Sequence, residues 1–259
     1  MADLRNYQNR TNYAGAQSGQ LIDEGLRAYM LKVYNLMALG LAITGLAAYG
    51  MFSLATTSDP SAAVATLGNG MMLTSFGVTL YTSALKWVVM LAPLGLVFFL
   101  SYRIQSMSVA AAQTTFWIYA GLMGLSLSSI FLVYTSQSIV QVFFVTAAAF
   151  GGLSLFGYTT KRDLSGMGSF LVMGLFGVII AALVNIFLQS SALQFAISVI
   201  GVLVFAGLTA YDTQKIKEMY FEADDVAMAG RKAIMGALTL YLDFINLFLF
   251  LLRFLGNRE

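Results

Sequence analysis

Seven stretches of roughly 17 to 25 residues, the length that crosses a bilayer core, run through this chain with almost no charge: 31–53, 84–103, 109–134, 139–159, 169–188, 192–213 and 233–254. A water-soluble fold needs charged surface between its buried segments. Here 59% of residues are hydrophobic and 10% are charged, against about 25% charged in an ordinary soluble domain. The pattern predicts an all-α membrane protein, a bundle of seven transmembrane helices with no internal repeat and no soluble catalytic domain.

The organisation around those runs is simple. Residues 1–26 read as a polar tail, expected to be disordered and cytoplasmic, 27–256 as the seven-helix membrane domain, and 257–259 as a carboxyl-terminal tip. Asp3, Arg5, Arg10, Asp23 and Glu24 interrupt any early apolar region, so the tail lacks a signal-peptide pattern and the first helix is expected to be its own targeting signal. Between 54 and 86, Asp59-Pro60 and Gly68-Asn69-Gly70 mark turns, and Met71 to Tyr81 reads as a short interfacial or re-entrant piece. With seven spans, eleven of the fourteen Lys and Arg residues fall on the amino-terminal side, leaving Lys86, Arg253 and Arg258 on the other. The positive-inside rule then predicts a cytoplasmic amino terminus. It also places the carboxyl terminus outside, although a last segment that dips in and returns satisfies the rule slightly better.

Composition removes whole classes of chemistry. The sequence has no Cys and no His, which excludes Ser-His and Cys-His nucleophiles, haem held by either residue and the usual zinc ligand sets. A net charge of +2, scattered among apolar blocks, gives no electrostatic footprint for nucleic acid. Carboxylate, carbonyl and hydroxyl groups remain, which suit protons and hard cations such as calcium. The lipid bilayer is an expected partner, and no cofactor is expected.

Of the twelve acidic residues, Asp212 and Asp243 alone fall at membrane depth. A carboxylate there costs a few kcal/mol, so it faces a partner or a water-filled cavity. A structural hydrogen bond between helices is the plainer alternative. If the sixth helix ends near Tyr220 and the seventh begins near Ala233, the acids lie about 12 Å and 15 Å from those ends. Antiparallel neighbours then meet at one depth, and two such carboxyls share a proton rather than both ionise. Arg103, closing the second run, either snorkels to the surface or reaches inward to pair with ionised Asp212. Asp212 and Asp243 are therefore an expected proton sensor, with Arg103 as the alternative partner of the first. Asn185 and Asn246 read as amides joining helices, Gly121 and Gly124, Ala147 and Gly151, and Gly174 and Gly177 as close-packing pairs, and Trp87, Tyr102 and Tyr134 as interfacial anchors.

The stretches Ala210-Tyr211-Asp212-Thr213-Gln214-Lys215-Ile216 and Leu238-Thr239-Leu240-Tyr241-Leu242-Asp243-Phe244-Ile245-Asn246-Leu247-Phe248 resemble the transmembrane Bax inhibitor motif (Bax inhibitor-1) family, its bacterial branch included. Arg27 through Tyr34, the basic loop Lys161-Arg162-Asp163 and the span count look similar too, so the resemblance covers 27–256. It implies a bundle with the last helix central and a pH-sensitive calcium leak channel of the cell inner membrane, gated by an aspartate pair that maps onto Asp212 and Asp243. It also implies an arginine partner, which maps onto Arg103, so that Asp212, Asp243 and Arg103 are the expected pH sensor and gate. On what the resemblance implies, calcium, as a transported ion, and protons are further expected partners, Asp243, Asn246 and Tyr241 are the expected cation pathway, and Asp212 and Asp243 are weak calcium ligands completed by carbonyls or water. A glutamate that some members carry before that arginine is replaced here by Ala92. Two further functions stay open: a proton-coupled cation exchanger, and an interaction protein that modulates a membrane-anchored AAA protease, as some bacterial relatives do. Paired aspartates also suggest an intramembrane aspartyl protease. Leu242 and Phe244 flank Asp243 where those enzymes carry glycine, and the only prolines are Pro60 and Pro93, so the chain is not expected to be an enzyme.

Overall fold

The computed structural model describes residues 2–258, with side chains from residue 24 onward. The backbone of the expected tail belongs to α1 from Ala2, and its side chains up to residue 23 lie outside the described residues. Seven helices are long and apolar enough to cross a membrane, and they coincide with the seven runs. They are α1 (Ala2–Ala55, crossing from Glu24), α3 (Leu85–Arg103), α4 (Val109–Leu127), α5 (Ser136–Thr159), α6 (Ser165–Leu188), α7 (Ser191–Glu218) and α8 (Val226–Leu255).

Their ends follow from local chemistry. Ser108, Thr135, Ser190 and Asp225 each accept a hydrogen bond from the backbone N–H three residues on, capping α4, α5, α7 and α8, which satisfies a donor that the first helical turn leaves open. The α6–α7 turn passes through Gln189 at φ 50. Asn185 Oδ1 accepts from Ser190 N there at 3.0 Å, so this amide closes a turn and does not join two helices.

The segment expected to be interfacial is a small antiparallel sheet followed by a short helix. Strands β1 (Thr56–Thr57), β2 (Ala65–Thr66) and β3 (Met72–Leu73) pair in the order β1-β3-β2, and α2 (Ser75–Thr82) follows. Gly77 lets α2 lie on the end of α1, because a Cβ there would stand 2.0 Å from Ala55 O.

The last helix is the most buried of the seven and α6 the least. α8 packs on α1, α4, α5 and α7, while α3 lies mainly on α4 and α6 on α7. The fully buried side chains of α8 include Ile234, Leu238, Leu240, Tyr241 and Leu247. α8 runs unbroken to Leu255, and the chain end docks beside the start of α5. Thr135 N donates to Asn257 O at 3.2 Å, Asn257 N donates to Ser138 Oγ at 2.9 Å, and the Arg258 guanidinium stands over the Tyr134 ring. The last segment thus crosses fully and does not return. Tyr134 is buried under it, not an interfacial anchor, whereas Trp87 and Tyr102 are exposed.

Close helix approach concentrates elsewhere than on most of the expected small-residue pairs. Gly124 does bring α4 onto α1 at Thr44, but a Cβ on Gly121, Gly151 or Gly177 would meet nothing within 4 Å. Among the glycines of the membrane-crossing helices, Gly157 allows a close approach to a neighbouring backbone: a Cβ there would lie 2.1 Å from Ala210 O, so α5 presses directly on the α7 backbone two residues before Asp212.

Candidate functional site

One face of α7 is bolted to α5 and to the α5–α6 loop. Thr213 Oγ1 lies 2.9 Å from Ser154 Oγ, which lies 2.6 Å from Tyr34 of α1. Gln214 is clamped from both ends: its Nε2 donates to Arg162 O and its Oε1 accepts from Leu164 N, each at 2.8 Å. Lys217 Nζ donates to Tyr158 O at 2.9 Å. Residues 210, 213, 214 and 217 share that face by helical periodicity.

The next face belongs to α8. Ile216 packs on Gly236, where a Cβ would stand 2.9 Å from Ile216 Cγ2. Asp212 lies one turn from Ile216, and Asp243 lies two turns from Gly236 on the same stripe. Antiparallel packing therefore carries one acid to the other, and the two carboxyls are neighbours. Asp243 is only 4% exposed. Its Oδ2 is buried, and no amide, hydroxyl or base among the described residues donates to it. Two carboxylates both accept, so a hydrogen bond between them needs one proton held by the pair.

The pair meets although the depth argument used the wrong helix ends. α7 stops at Glu218, about 9 Å beyond Asp212, and α8 starts at Val226, about 26 Å before Asp243. The connection 219–225 makes up the difference, since extended chain spans at most about 3.3–3.6 Å per residue. It climbs past the end of α7 so that α8 begins farther out.

The other expected site residues divide. Arg103 is exposed at the end of α3. Among the described residues the one ion pair joins Lys232 to Asp224, so the structure holds the acid–acid arrangement without Arg103. Lys215, one turn along α7, is the positive charge that acts on Asp212. Asn246, three residues after Asp243, flanks it on α8, but its Nδ2 donates to Leu242 O at 2.8 Å and does not tie α8 to another helix.

Tyr241 is not brought to the acids. Two residues of separation place it about 200° around the helix from Asp243. Its hydroxyl lies 2.6 Å from Thr44 Oγ1, and its ring meets Phe116 and Tyr119 edge-on. It belongs to the α1–α4–α8 core. The oxygens left near the pair are two carboxyls and one amide, fewer than the roughly six to eight that calcium takes, and no cluster of three metal-ligating acids occurs among the described residues. Ser154, Thr213 and Gln214 hold α7 in place, and sequence reasoning gave them no role. The polar run Asp212-Thr213-Gln214 at the end of an apolar helix was the available signal, because each of those groups needs a partner at that depth.

Comparison with known proteins decides the family. A family model described as "Inhibitor of apoptosis-promoting Bax1" matches residues 26–259. The chain belongs to the Bax inhibitor-1 family. Within that family it is similar to an uncharacterized protein of Rickettsia prowazekii, 51% identical over 237 residues that cover 92% of each chain. It is 48% identical over 238 residues to the inner membrane protein YbhL of Escherichia coli, covering 91% of this chain and 94% of that relative. An uncharacterized membrane protein of Streptococcus pyogenes is 34% identical over 237 residues, which cover 92% of this chain and 96% of the relative. As a Bax inhibitor-1 family member with seven crossing helices, this chain is a multi-pass integral membrane protein.

Proposed function

We propose that this Bax inhibitor-1 family member is a pH-sensitive leak pathway for cations, with calcium as cargo, gated by the proton shared between Asp212 and Asp243. The observation that carries the reading is Asp243 itself, a carboxyl buried at the centre of the bundle whose neighbour is a second acid and to which, among the described residues, no amide, hydroxyl or base donates. A purely structural acid at such depth is hydrogen-bonded in full or paired with a base. Here its neighbour is a second acid, an arrangement that holds with one proton and repels without it. Losing that proton forces α7 and α8 to rearrange around the pair. The sparse oxygen set favours weak, transient calcium binding, which conduction requires. The basic side of the bundle supports a cytoplasmic amino terminus, and the name of the Escherichia coli relative supports the inner membrane.

The test is calcium influx into liposomes carrying the purified protein, with internal pH followed at the same time. Influx without proton countertransport is the expected result. Protons leaving in fixed ratio to calcium would replace the leak by exchange, and no calcium movement at any pH would overturn the reading.

A further inference from the structure

A lateral cleft of about 1300 Å³ opens between α1 and α5, floored by Phe244 and Phe248 of α8. Its sides are apolar and face outward, with Leu31, Leu46, Phe144 and Leu155 exposed along it. From Arg27 to Ala48 the α1 wall is about 32 Å long, against a hydrocarbon core of about 30 Å. In a bilayer, such a wall is covered by apolar matter.

The cleft is not symmetric along its length. Among the described residues its one charged lining residue, Arg27, stands at one mouth, on the side where Tyr158 ends α5. Tyr34 and Ser154, hydrogen-bonded to each other at 2.6 Å, lie in the same half. Thr44, farther in, spends its hydroxyl on Tyr241 and two backbone carbonyls. Leu127, Ile130 and Phe131 line the opposite half, and no carboxylate among the described residues lines the cleft. An occupant that matches this wall has one anionic end and a long hydrocarbon remainder.

We propose that the α1–α5 cleft is a binding site for an anionic phospholipid of the Arg27-side leaflet, its phosphate on Arg27 and its acyl chains along Tyr34, Met37, Ala147 and Gly151. Arginine suits the phosphate because its guanidinium presents paired donors to anionic oxygens. The bound chains lie against Ser154, whose hydroxyl also meets Thr213 beside Asp212. The site stands on the cleft alone, whatever crosses the bundle.

Native mass spectrometry of the full-length protein, offered equal amounts of dioleoyl phosphatidylglycerol and dioleoyl phosphatidylcholine, tests it. Wild type is expected to retain phosphatidylglycerol with about a fivefold preference, the equivalent of about 1 kcal/mol for one basic residue facing an anionic lipid. Arg27→Gln is expected to bring that preference to about one. Gly151→Phe fills the cleft without a clash, since a Cβ there meets nothing within 4 Å, and is expected to reduce retention of both lipids while thermal unfolding stays as in wild type. Undiminished lipid on Gly151→Phe, or an intact preference in Arg27→Gln, would overturn the site. A dimer in wild type that Gly151→Phe abolishes would overturn it too, by making a second copy the occupant.

Discussion

Tyr241 and Asp243 are two residues apart on one helix, equally deep and equally surrounded by apolar side chains, yet their polar atoms are treated in opposite ways. The Tyr241 hydroxyl meets Thr44, which in turn reaches the carbonyls of Gly40 and Ala120, so α1, α4 and α8 are tied by a network with every group satisfied. Asp243 faces another acid, and no amide, hydroxyl or base among the described residues donates to it. A neutral network that closes on itself fixes helices in place and has nothing to titrate near neutrality. An acid pair held by one proton has two states by construction. Burial and conspicuous polarity are common to both positions, so neither distinguishes a bolt from a latch. The completeness of the hydrogen bonding does.

If Tyr241 is a bolt, substitution there should cost stability and leave pH behaviour alone. Tyr241→Leu removes the hydroxyl and the edge contacts to Phe116 and Tyr119, and should destabilise the bundle by about 2–3 kcal/mol in a detergent unfolding titration. Tyr241→Phe keeps the ring, and Thr44 keeps its carbonyl acceptors, so the cost should fall to about 1 kcal/mol. A shifted pH profile of calcium flux in Tyr241→Phe would merge the two regions into one.

The smallest effect sharpens the contrast from outside the membrane. Asp163, in the α5–α6 loop, accepts from Ser165 N, and the Ser165 hydrogen bonds hold its carboxyl below the ordinary carboxylate range. A depressed folded value gives stability that is present above the unfolded value and is lost as pH falls through the folded one. Asp163→Ala should therefore lower the melting temperature slightly at pH 7, and the difference should shrink toward about pH 3. A difference that grew on acidification would mean that the loop acid is held as its protonated form.

Much of this was legible beforehand because the bilayer imposes simple arithmetic. Length and lack of charge located all seven spans, and rarity singled out Asp212 and Asp243, since at membrane depth a carboxyl cannot be incidental. Their contact was legible from the hairpin even with its ends misjudged, because Ile216 and Gly236 set the same antiparallel register. What stayed hidden depended on direction around a helix. Tyr241 lies beside Asp243 in sequence and on the opposite face in space, and Tyr134 is covered only because the chain end returns to it. Asn185 and Asn246 were assigned to helix contacts by composition, yet both are satisfied locally. Polar side chains that bond their own backbone leave no trace in hydropathy.

The central claim is that the shared proton of the Asp212–Asp243 pair sets the pH response. The most direct measurement is the pH profile of calcium flux through Asp243→Asn in liposomes, beside wild type. Asparagine keeps the shape and cannot ionise, so the account predicts a folded bundle of unchanged thermal stability whose flux no longer varies with pH. A profile that follows wild type would contradict it, and the pair would then be a structural bridge.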